Sequence, residues 1–377
     1  MSLKAVELFA GIGGFRIACD KNYIKTIWAN DINEKAGSVY KKNWNDDTFH
    51  HGDIWTLIKD VPPHDLLTGG FPCQPFSSAG KKQGIRDPRG TLFQAIVEVI
   101  SRNNPKYFVL ENVKRLLTME DGQHFATILD SLSSLGYLLE WRLLNTLDFG
   151  LAQNRERIVI VGTKNGHKPV SFLMTSDDSS DLPPYIAELL SNPSKWKNIA
   201  EHGRFFDNWG LAIDGNFITA DLQSFSESKN GAKLADILQK NVDPSFDFTE
   251  DTLKRINNSE KVERFVNGVE IIYNQAGGAR MGYTIFGTKG IAPTLTSSTS
   301  RHYERYCIND RFRRLTHIEY ARLQGFADNH CEGISPYDQY VLFGNAVPPP
   351  LVSWVLDRVT NIKIATIKCE AFQTELF

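Results

Sequence analysis

Short apolar runs alternate with amphipathic segments through the first 165 residues. The runs are rich in β-branched and aromatic residues and predict strands at 5–9, 24–31, 64–70, 106–113 and 157–163. Helical periodicity predicts helices at 15–22, 33–43 and 90–103, with Asn33 as the N-cap of the second. Apolar strands that alternate with helices predict an α/β fold with a doubly wound, mostly parallel sheet of the Rossmann-like kind.

The amino-acid composition of the chain changes after about residue 165. Segments rich in Ser, Asp, Pro and Asn, with short strand-like pieces, predict a smaller irregular domain over 166–337. A helix is predicted again after Pro348, and its apolar face of Leu351, Val352, Val355 and Leu356 is expected to dock on the first domain. The larger domain is therefore expected to comprise 1–165 together with 338–377.

Composition excludes several classes of protein. The 377 residues are 41% hydrophobic and carry a net charge of −2, which excludes disordered and collagen-like chains. The five cysteines form neither a C-x-x-C pair nor an even disulfide framework, which favours reduced thiols in a cytoplasmic protein without a metal site. No apolar run approaches the roughly 20 residues that span a bilayer, so no membrane association is expected.

The near-neutral total hides a local excess of positive charge. Residues 172–250 hold 13 acidic and 6 basic side chains, whereas 251–314 hold 11 Lys and Arg against 6 Asp and Glu. The stretch at 301–314, "RHYERYCINDRFRR", places tyrosines among arginines, a mixture that suits phosphates and bases. A solvated, salt-bridged surface explains the same stretch, so both interpretations stay open.

A glycine-rich turn follows the first predicted strand. In "FAGIGG", Gly11, Gly13 and Gly14 allow a ligand to approach the backbone at a helix N-terminus. The position of the third glycine of the dinucleotide fingerprint is Arg16, which disfavours NAD. Asp31 lies where a carboxylate binds ribose hydroxyls, and Asp53 follows the next segment, so the set suggests S-adenosyl-L-methionine. A tight turn with two capping aspartates is the alternative.

Cys73 lies between two prolines in "GGFPCQPFSSAG". A lone cysteine is more often a packing residue than a nucleophile. This one, however, follows the carboxyl end of a predicted sheet strand, where α/β enzymes place their sites. Gln74, Ser77 and Ser78 add hydrogen-bonding groups to the loop. The position therefore favours a reactive thiol.

These motifs resemble the DNA cytosine-5 methyltransferases. "GGFPCQPFSSAG" looks like the nucleophile loop of that family and "FAGIGGF" like its cofactor turn. "ENVKRL", "LDFGLAQNRERIVIVG", "RRLTHIEYARLQGF" and "QYVLFGNAVPP" resemble further blocks in the family's order. The resemblance covers the chain except about 165–290. Within the family, the chain resembles the bacterial and phage type II restriction-modification methyltransferases.

The resemblance implies methyl transfer from S-adenosyl-L-methionine to carbon 5 of a flipped-out cytosine in duplex DNA, with S-adenosyl-L-homocysteine as the product. It gives Cys73 the role of nucleophile at ring carbon 6 and Glu111 that of assistant at ring nitrogen 3. Arg157 is implied near the cytosine carbonyl, with Arg155 in support. The implied cofactor-binding residues are Phe9, Gly11, Ile12, Gly13, Gly14, Asp31, Ile32, Asp53, Ile54, Gly70, Pro72, Leu92, Asn345 and Ala346.

The resemblance also implies a closing loop and a target-recognition region that contact DNA. The expected DNA-binding residues are Ser77, Lys81, Lys82, Arg86, Arg89, Arg280, Thr294, Leu295 and Arg301. A monomer is expected, and a cognate restriction endonuclease that acts on the same site is the partner suggested by the family.

Three other functions fit parts of the sequence. A zinc deaminase combines H-x-E with P-C-x-x-C, but here the order is reversed and the second cysteine of that motif is Phe76. His317 and Glu319 instead suit a capping box after Thr316. A transfer-RNA methyltransferase and a catalytically inert DNA-binding relative remain as alternatives, and the intact Cys73 and Glu111 oppose the second of these.

Overall fold

The structure is a computed structural model that describes residues 2–72, 92–164, 173, 184–222, 231–274, 284–297 and 305–360. Within these residues the chain forms a ten-stranded sheet and a five-stranded sheet. Among the described residues, no helix is both long enough and apolar enough to cross a membrane.

Five neighbouring strands of the large sheet run parallel, in the order β3-β2-β1-β4-β5. Their bounds are β1 Lys4–Leu8, β2 Lys25–Asp31, β3 Phe49–His51, β4 Leu66–Gly70 and β5 Tyr107–Val113. Each predicted strand up to residue 113 corresponds to one of them. Because the strands are parallel, their carboxyl ends meet along one edge of the sheet.

The remaining five strands extend the sheet by antiparallel pairing, in the order β7-β6-β9-β10-β8. They are β6 Tyr137–Asn145, β7 Glu156–Lys164, β8 Lys197–Asn198, β9 Trp209–Ile213 and β10 Asn216–Ala220. The strand predicted at 157–163 is thus antiparallel to β5, because it returns from β6 through a short connection. The sheet is mixed, and its parallel part is confined to β1–β5.

Helices cover both faces of the large sheet, which confirms the α/β class. The helices of the described residues, on either sheet, are α1 Gly14–Lys21, α2 Glu34–Asn43, α3 Ile54–Leu57, α4 Leu92–Asn103, α5 Gln123–Ser133, α6 Pro184–Ser191, α7 Glu250–Asn257, α8 His317–Gln324, α9 Pro336–Asn345 and α10 Pro349–Thr360. Along β5, Phe108 and Leu110 pack in one core with α4 and α5. Tyr107 and Val109 point to the opposite face and pack in a core that includes α1 and α10.

Two helix starts follow the sequence pattern. Asn33 caps α2, because its side-chain oxygen accepts a hydrogen bond from the Ala36 amide. Thr316 and Glu319 form a capping box at the start of α8. The C-terminal helix α10 packs its predicted apolar face in the same core as α1, as expected.

The second sheet consists of β11 Glu260–Val266, β12 Val269–Asn274, β13 Thr284–Phe286, β14 Arg305–Ile308 and β15 Arg311–Arg313, in sequence order. Its core also contains α8 and α9 residues together with Ile12, Ala36 and Val39 from the first 50 residues. Strands β8–β10 lie within 166–337 but belong to the large sheet. The predicted division at 165 and 337 stays a prediction.

Three arginines of the stretch at 301–314 make contacts within the protein. Arg313 is 2% exposed and donates two hydrogen bonds to the fully buried Glu319 carboxylate, at 2.7 and 2.8 Å. Arg311 pairs with Asp247 at 2.6 Å, and the Arg314 guanidinium lies over the Phe246 ring. For Arg311 and Arg313 the structure favours the salt-bridge interpretation over a DNA-binding one.

Replacement of Glu319 by alanine is expected to lower the free energy of unfolding by about 3 kcal/mol, because Arg313 then remains as a buried charge without its carboxylate. Urea denaturation measures the change. Asp247→Ala removes the more exposed pair with Arg311 and should cost less than about 1 kcal/mol. Equal effects of the two substitutions would show that the buried pair has no special importance.

Candidate active site

A cavity of about 790 Å³ opens at the carboxyl ends of β1, β2, β4 and β5. The register places these ends side by side, with Leu8 paired to Asn30 and to Gly69, and Gly70 paired to Glu111. Several sequence-predicted residues from distant parts of the chain line this cavity: Phe9, Gly11, Ile12, Gly14, Asp31, Ile32, Asp53, Ile54, Gly70, Pro72, Leu92, Glu111, Arg155, Arg157, Asn345 and Ala346.

The glycine turn after β1 is held in a left-handed backbone conformation. Phe9, Gly11 and Gly13 have φ values of 56°, 53° and 84°. Such values favour glycine and strain a residue such as Phe9. Gly13 does not line the cavity; a side chain there would collide with the Trp44 ring. A side chain at Gly14 would likewise collide with the Val347 carbonyl, so the turn is packed from two sides.

Asp31, at the end of β2, connects the glycine turn to the start of α2. Its two carboxylate oxygens accept hydrogen bonds from the Gly11 amide at 2.7 Å and the Asn33 amide at 2.8 Å. Burial raises the pKa of Asp31, although these amide bonds act in the opposite direction. Asp31 is therefore not itself a helix cap: it holds Asn33, the N-cap of α2, and it also lines the cavity.

Asp53 also combines two positions. It is the N-cap of α3, where its side chain accepts a hydrogen bond from the Trp55 amide at 3.0 Å, and it lines the same cavity. Ile32, which follows Asp31 in the sequence and also lines the cavity, is 68% exposed. A ligand in the cavity can therefore meet two carboxylates and one exposed apolar side chain.

Glu111 and Arg157 form an ion pair in the cavity wall. The Arg157 Nε atom lies 2.8 Å from the Glu111 Oε1 atom, and the two side chains are 12% and 10% exposed. Burial raises the pKa of Glu111, while the positive charges of Arg157 and Arg155 act against that shift. A carboxyl group in this setting can exchange a proton with a bound base more readily than an exposed glutamate.

Arg155 is 1% exposed, and its side chain connects its own segment to two other segments by hydrogen bonds. Its guanidinium donates to the Leu295 carbonyl at 3.0 Å, to the Gly344 carbonyl at 2.8 Å and to the Ala346 carbonyl at 3.3 Å. Burial and the neighbouring Arg157 lower the pKa of Arg155. The side chain thus holds the end of α9 and the segment around residue 295 against the cavity.

Asn112 fixes the chain just before the predicted nucleophile. Its side-chain amide donates to the Phe71 carbonyl at 3.0 Å, and the residue is 3% exposed. Pro72 lines the cavity. The predicted site residues Cys73, Ser77, Lys81, Lys82, Arg86, Arg89, Arg280 and Arg301 lie outside the described residues.

Thr294 and Leu295, predicted to contact DNA, make internal contacts here. The Thr294 hydroxyl donates to the Asn154 carbonyl at 2.5 Å. Leu295 is 1% exposed, and its amide donates to the Gln153 side chain at 2.9 Å. The Leu295 side chain is buried because it belongs to the core of the second sheet, and the DNA contacts of Thr294 and Leu295 stay predictions.

The sequence interpretation missed several polar residues that shape this region. Gln153 is fully buried and connects three segments, since it also donates to the Leu323 carbonyl and to the Gln324 side chain. Its position two residues before Arg155, on the same face of an extended segment, was the available signal. His330 contacts the glycine turn and carries no local signal at all. Further cavity-lining residues are Asn30, Trp55, Leu342 and Val347.

The C-5 cytosine-specific DNA methylase family matches residues 3–361 of the chain. Type II methyltransferase M1.ScrFI of Lactococcus lactis subsp. cremoris is 33% identical over 365 residues, which cover 95% of this chain and 78% of the relative. Type II methyltransferase M.Sau3AI of Staphylococcus aureus is 29% identical over 412 residues, which cover 97% and 99% of the two chains.

Solved structures resemble the fold at low sequence identity. The S. pombe Dnmt2 methyltransferase has a TM-score of 0.60 at 19% identity and covers 94% of this chain and 97% of its own. A variant of Spodoptera frugiperda DNMT2 has a TM-score of 0.63 at 18% identity, with 95% and 99% covered. These likenesses support the α/β architecture described above.

Proposed function

Since the chain belongs to the family of C-5 cytosine-specific DNA methylases, we propose that it transfers a methyl group from S-adenosyl-L-methionine to carbon 5 of a specific cytosine in duplex DNA. The observation that carries the proposal is the buried pair of Glu111 and Arg157 beside Pro72, at the edge where the chain continues to Cys73. The described residues supply an acid and a cation in one place, and in the sequence the proposed thiol of Cys73 directly follows Pro72.

The cavity fits the cofactor in size and in chemistry. Its volume of about 790 Å³ lies in the range of small-molecule sites. At Gly70 a side-chain carbon would come within 3.0 Å of Val347 and 3.2 Å of the Glu111 carboxylate, so glycine keeps the space between these two groups open. Asp31 and Asp53 would bind the ribose and the adenine, and Phe9 would pack on the base. When bound, the cofactor supplies the electrophilic methyl group.

In this proposal Cys73 attacks carbon 6 of the flipped-out cytosine, and the new carbon–sulfur bond places electron density on carbon 5. Glu111 gives a proton or a hydrogen bond to ring nitrogen 3, so that the ring need not hold a full negative charge. After carbon 5 is methylated, its hydrogen leaves as a proton to a base, and expulsion of the Cys73 thiolate restores the double bond. S-adenosyl-L-homocysteine is the second product.

Arg157 and Arg155 would have different roles in the reaction. Arg157, 12% exposed, faces the cavity and would stabilise charge near the cytosine carbonyl and favour the thiolate of Cys73. Arg155 donates to three carbonyls and is buried behind it. We assign Arg155 to support of the site and not to contact with substrate.

Asp31→Ala is expected to raise the Kd for S-adenosyl-L-homocysteine by at least about tenfold, because the Gly11 and Asn33 amides lose their acceptor and the ligand loses its ribose partner. Isothermal titration calorimetry measures this change. Asp65→Ala is the matched control, since Asp65 accepts a hydrogen bond from the Lys4 amide at 2.8 Å at the opposite end of β1. Equal affinities of the two variants would exclude Asp31 from the cofactor site.

The function is tested with purified protein and cofactor that carries a tritiated methyl group. Separate reactions contain random-sequence duplex DNA, single-stranded DNA and transfer RNA, and bisulfite sequencing then maps the modified cytosines in the duplex. Label at carbon 5 of one sequence context in duplex DNA is the expected result. Label in RNA alone would overturn the substrate, and no label despite cofactor binding would indicate an inert relative.

A further inference from the structure

We propose that His330 is a positioning residue for the glycine turn and thereby sets the affinity for the cofactor. This inference rests on the proposed function, because it concerns the turn assigned to S-adenosyl-L-methionine. His330 lies more than 300 positions after the turn and follows α8, in a segment that the sequence assigned to the target-recognition region. It therefore connects two regions that were expected to act separately.

The contact is a buried hydrogen bond. The His330 Nε2 atom lies 2.7 Å from the Ile12 carbonyl oxygen, and the histidine is 5% exposed. A carbonyl only accepts, so the Nε2 atom must carry a proton and donate. Burial lowers the pKa of His330, which favours the neutral ring with its single proton on Nε2.

The histidine ring is held on both sides. It packs at 4.7 Å from the Phe326 ring and edge-on at 6.0 Å from the Trp44 ring. Trp44 is also the side chain that excludes anything larger than glycine at position 13. The same aromatic group thus contacts the turn directly at Gly13 and supports the donor to Ile12.

The backbone that carries His330 is fastened to α2. The Asn43 side chain donates to the His330 carbonyl at 2.9 Å, and the Lys42 ammonium donates to the Glu332 carbonyl at 2.9 Å. Because α2 follows Asp31 directly, the histidine and the carboxylate that faces the cofactor belong to one connected frame. A shift of the donor would therefore break these bonds to α2.

Ile12 is anchored twice at the turn. Its carbonyl accepts from His330, and its side chain, 2% exposed, packs in the core that contains Phe343 and Ala346 near the end of α9. The neighbouring amides of Gly11 and Gly13 bond to Asp31 and to the Ala10 carbonyl, respectively. His330 therefore adds a third hydrogen bond to the two that hold the backbone of the turn before a ligand binds.

Loss of this bond should leave a buried carbonyl without a partner. The turn would then relax to other conformations, and the cofactor would bind only the fraction that retains the competent one. His330→Phe keeps an aromatic ring between Phe326 and Trp44 but has no donor. His330→Gln places an amide nitrogen near the position of Nε2 and should restore the bond.

The test compares His330→Phe and His330→Gln with the intact protein. Calorimetry should show a Kd for S-adenosyl-L-homocysteine about tenfold higher for the phenylalanine variant and within about twofold of normal for the glutamine variant. In ligand-free protein, hydrogen exchange of the peptide that covers the turn should be faster in the phenylalanine variant alone. In the methylation assay the KM for the cofactor should rise while kcat is unchanged.

His64→Phe is the matched control. His64 is also buried, 8% exposed, and its Nδ1 atom lies 2.8 Å from the Pro62 carbonyl, before β4 and away from the turn. This variant should lower stability without a change in cofactor affinity or in turn exchange. If His330→Phe does not fold, His330→Leu serves in its place, with the same expected results.

The possible outcomes separate the two proposals. If the intact protein does not bind S-adenosyl-L-homocysteine, the proposed function fails, and faster exchange of the turn in His330→Phe would support only the part of the inference by which His330 holds the turn. If exchange and affinity are both unchanged in that variant, the role of His330 is refuted. Faster exchange with an unchanged Kd would also refute it, since the turn would then not control binding.

Discussion

Cys73→Ala is expected to reduce methyl transfer to duplex DNA by at least about 10⁴-fold, while the affinity for S-adenosyl-L-homocysteine stays within about twofold of normal. Carbon 5 of cytosine is a weak nucleophile until a thiolate adds at carbon 6. An alanine side chain cannot form that bond, whereas the cavity that binds the cofactor remains in place. Tritium incorporation under single-turnover conditions measures the loss.

Two further measurements make this prediction sharp. DNA with fluorine at carbon 5 of the target cytosine should form a stable covalent complex with the intact protein, because carbon 5 then has no hydrogen that a base can remove. Cys73→Ala should form no such complex. Cys307 lies on a strand of the second sheet, and burial raises the pKa of its thiol, which disfavours the reactive thiolate; Cys307→Ala should retain full activity. If Cys73→Ala keeps more than about 1% of the activity of the intact protein, Cys73 is not the nucleophile.

The parallel half of the sheet and its glycine turn could be predicted because their signals are local. An apolar run followed by "AGIGG" specifies strand, turn and helix within a few residues, and the φ values of Gly11 and Gly13 give the physical reason for those glycines. The capping side chains of Asn33 and Thr316 act within three residues. Such interactions can be read from a sequence without knowledge of the fold.

Strand β6 was missed because its stabilising partners are distant in sequence. It buries Glu140 and Arg142 in the middle of a β-strand, each 2% exposed, which disguises the apolar pattern. The Glu140 carboxylate accepts from the Trp209 indole at 2.8 Å and from the Leu173 amide at 3.1 Å, and Arg142 donates to the Leu173 carbonyl at 2.6 Å. No local pattern shows that these charges are satisfied.

The same limit applies to the candidate site. The structure brings the predicted Asp31, Asp53, Glu111 and Arg157 to one cavity, because each follows or lies on a strand whose end meets that edge. Arg155 has the same sequence context as Arg157, yet it points to backbone carbonyls of segments that are about 140 and 190 positions away. Sequence spacing alone cannot assign those two arginines to different roles.

Glu111→Gln is expected to lower kcat by about 10³-fold with little change in the affinity for the cofactor. Glutamine has nearly the same volume and can still accept from the Arg157 Nε atom, so the ion pair is replaced by a neutral hydrogen bond. It cannot, however, give a proton to ring nitrogen 3. Glu156→Gln is the matched control, because Glu156 precedes Arg157 and its side chain pairs with the exposed Lys114 at 2.9 Å.

The pH dependence of kcat distinguishes loss of this proton from a general disturbance of the site. Burial raises the pKa of Glu111 above its ordinary value of 4.5, so the protonated carboxyl persists to higher pH than an exposed one. If the protonated form assists at nitrogen 3, kcat of the intact enzyme falls as the pH rises through the pKa of Glu111, and Glu111→Gln lacks that decline. A glutamine variant that keeps more than about 10% of normal kcat, or that shows the same alkaline decline, would mean that Glu111 holds Arg157 in place and transfers no proton.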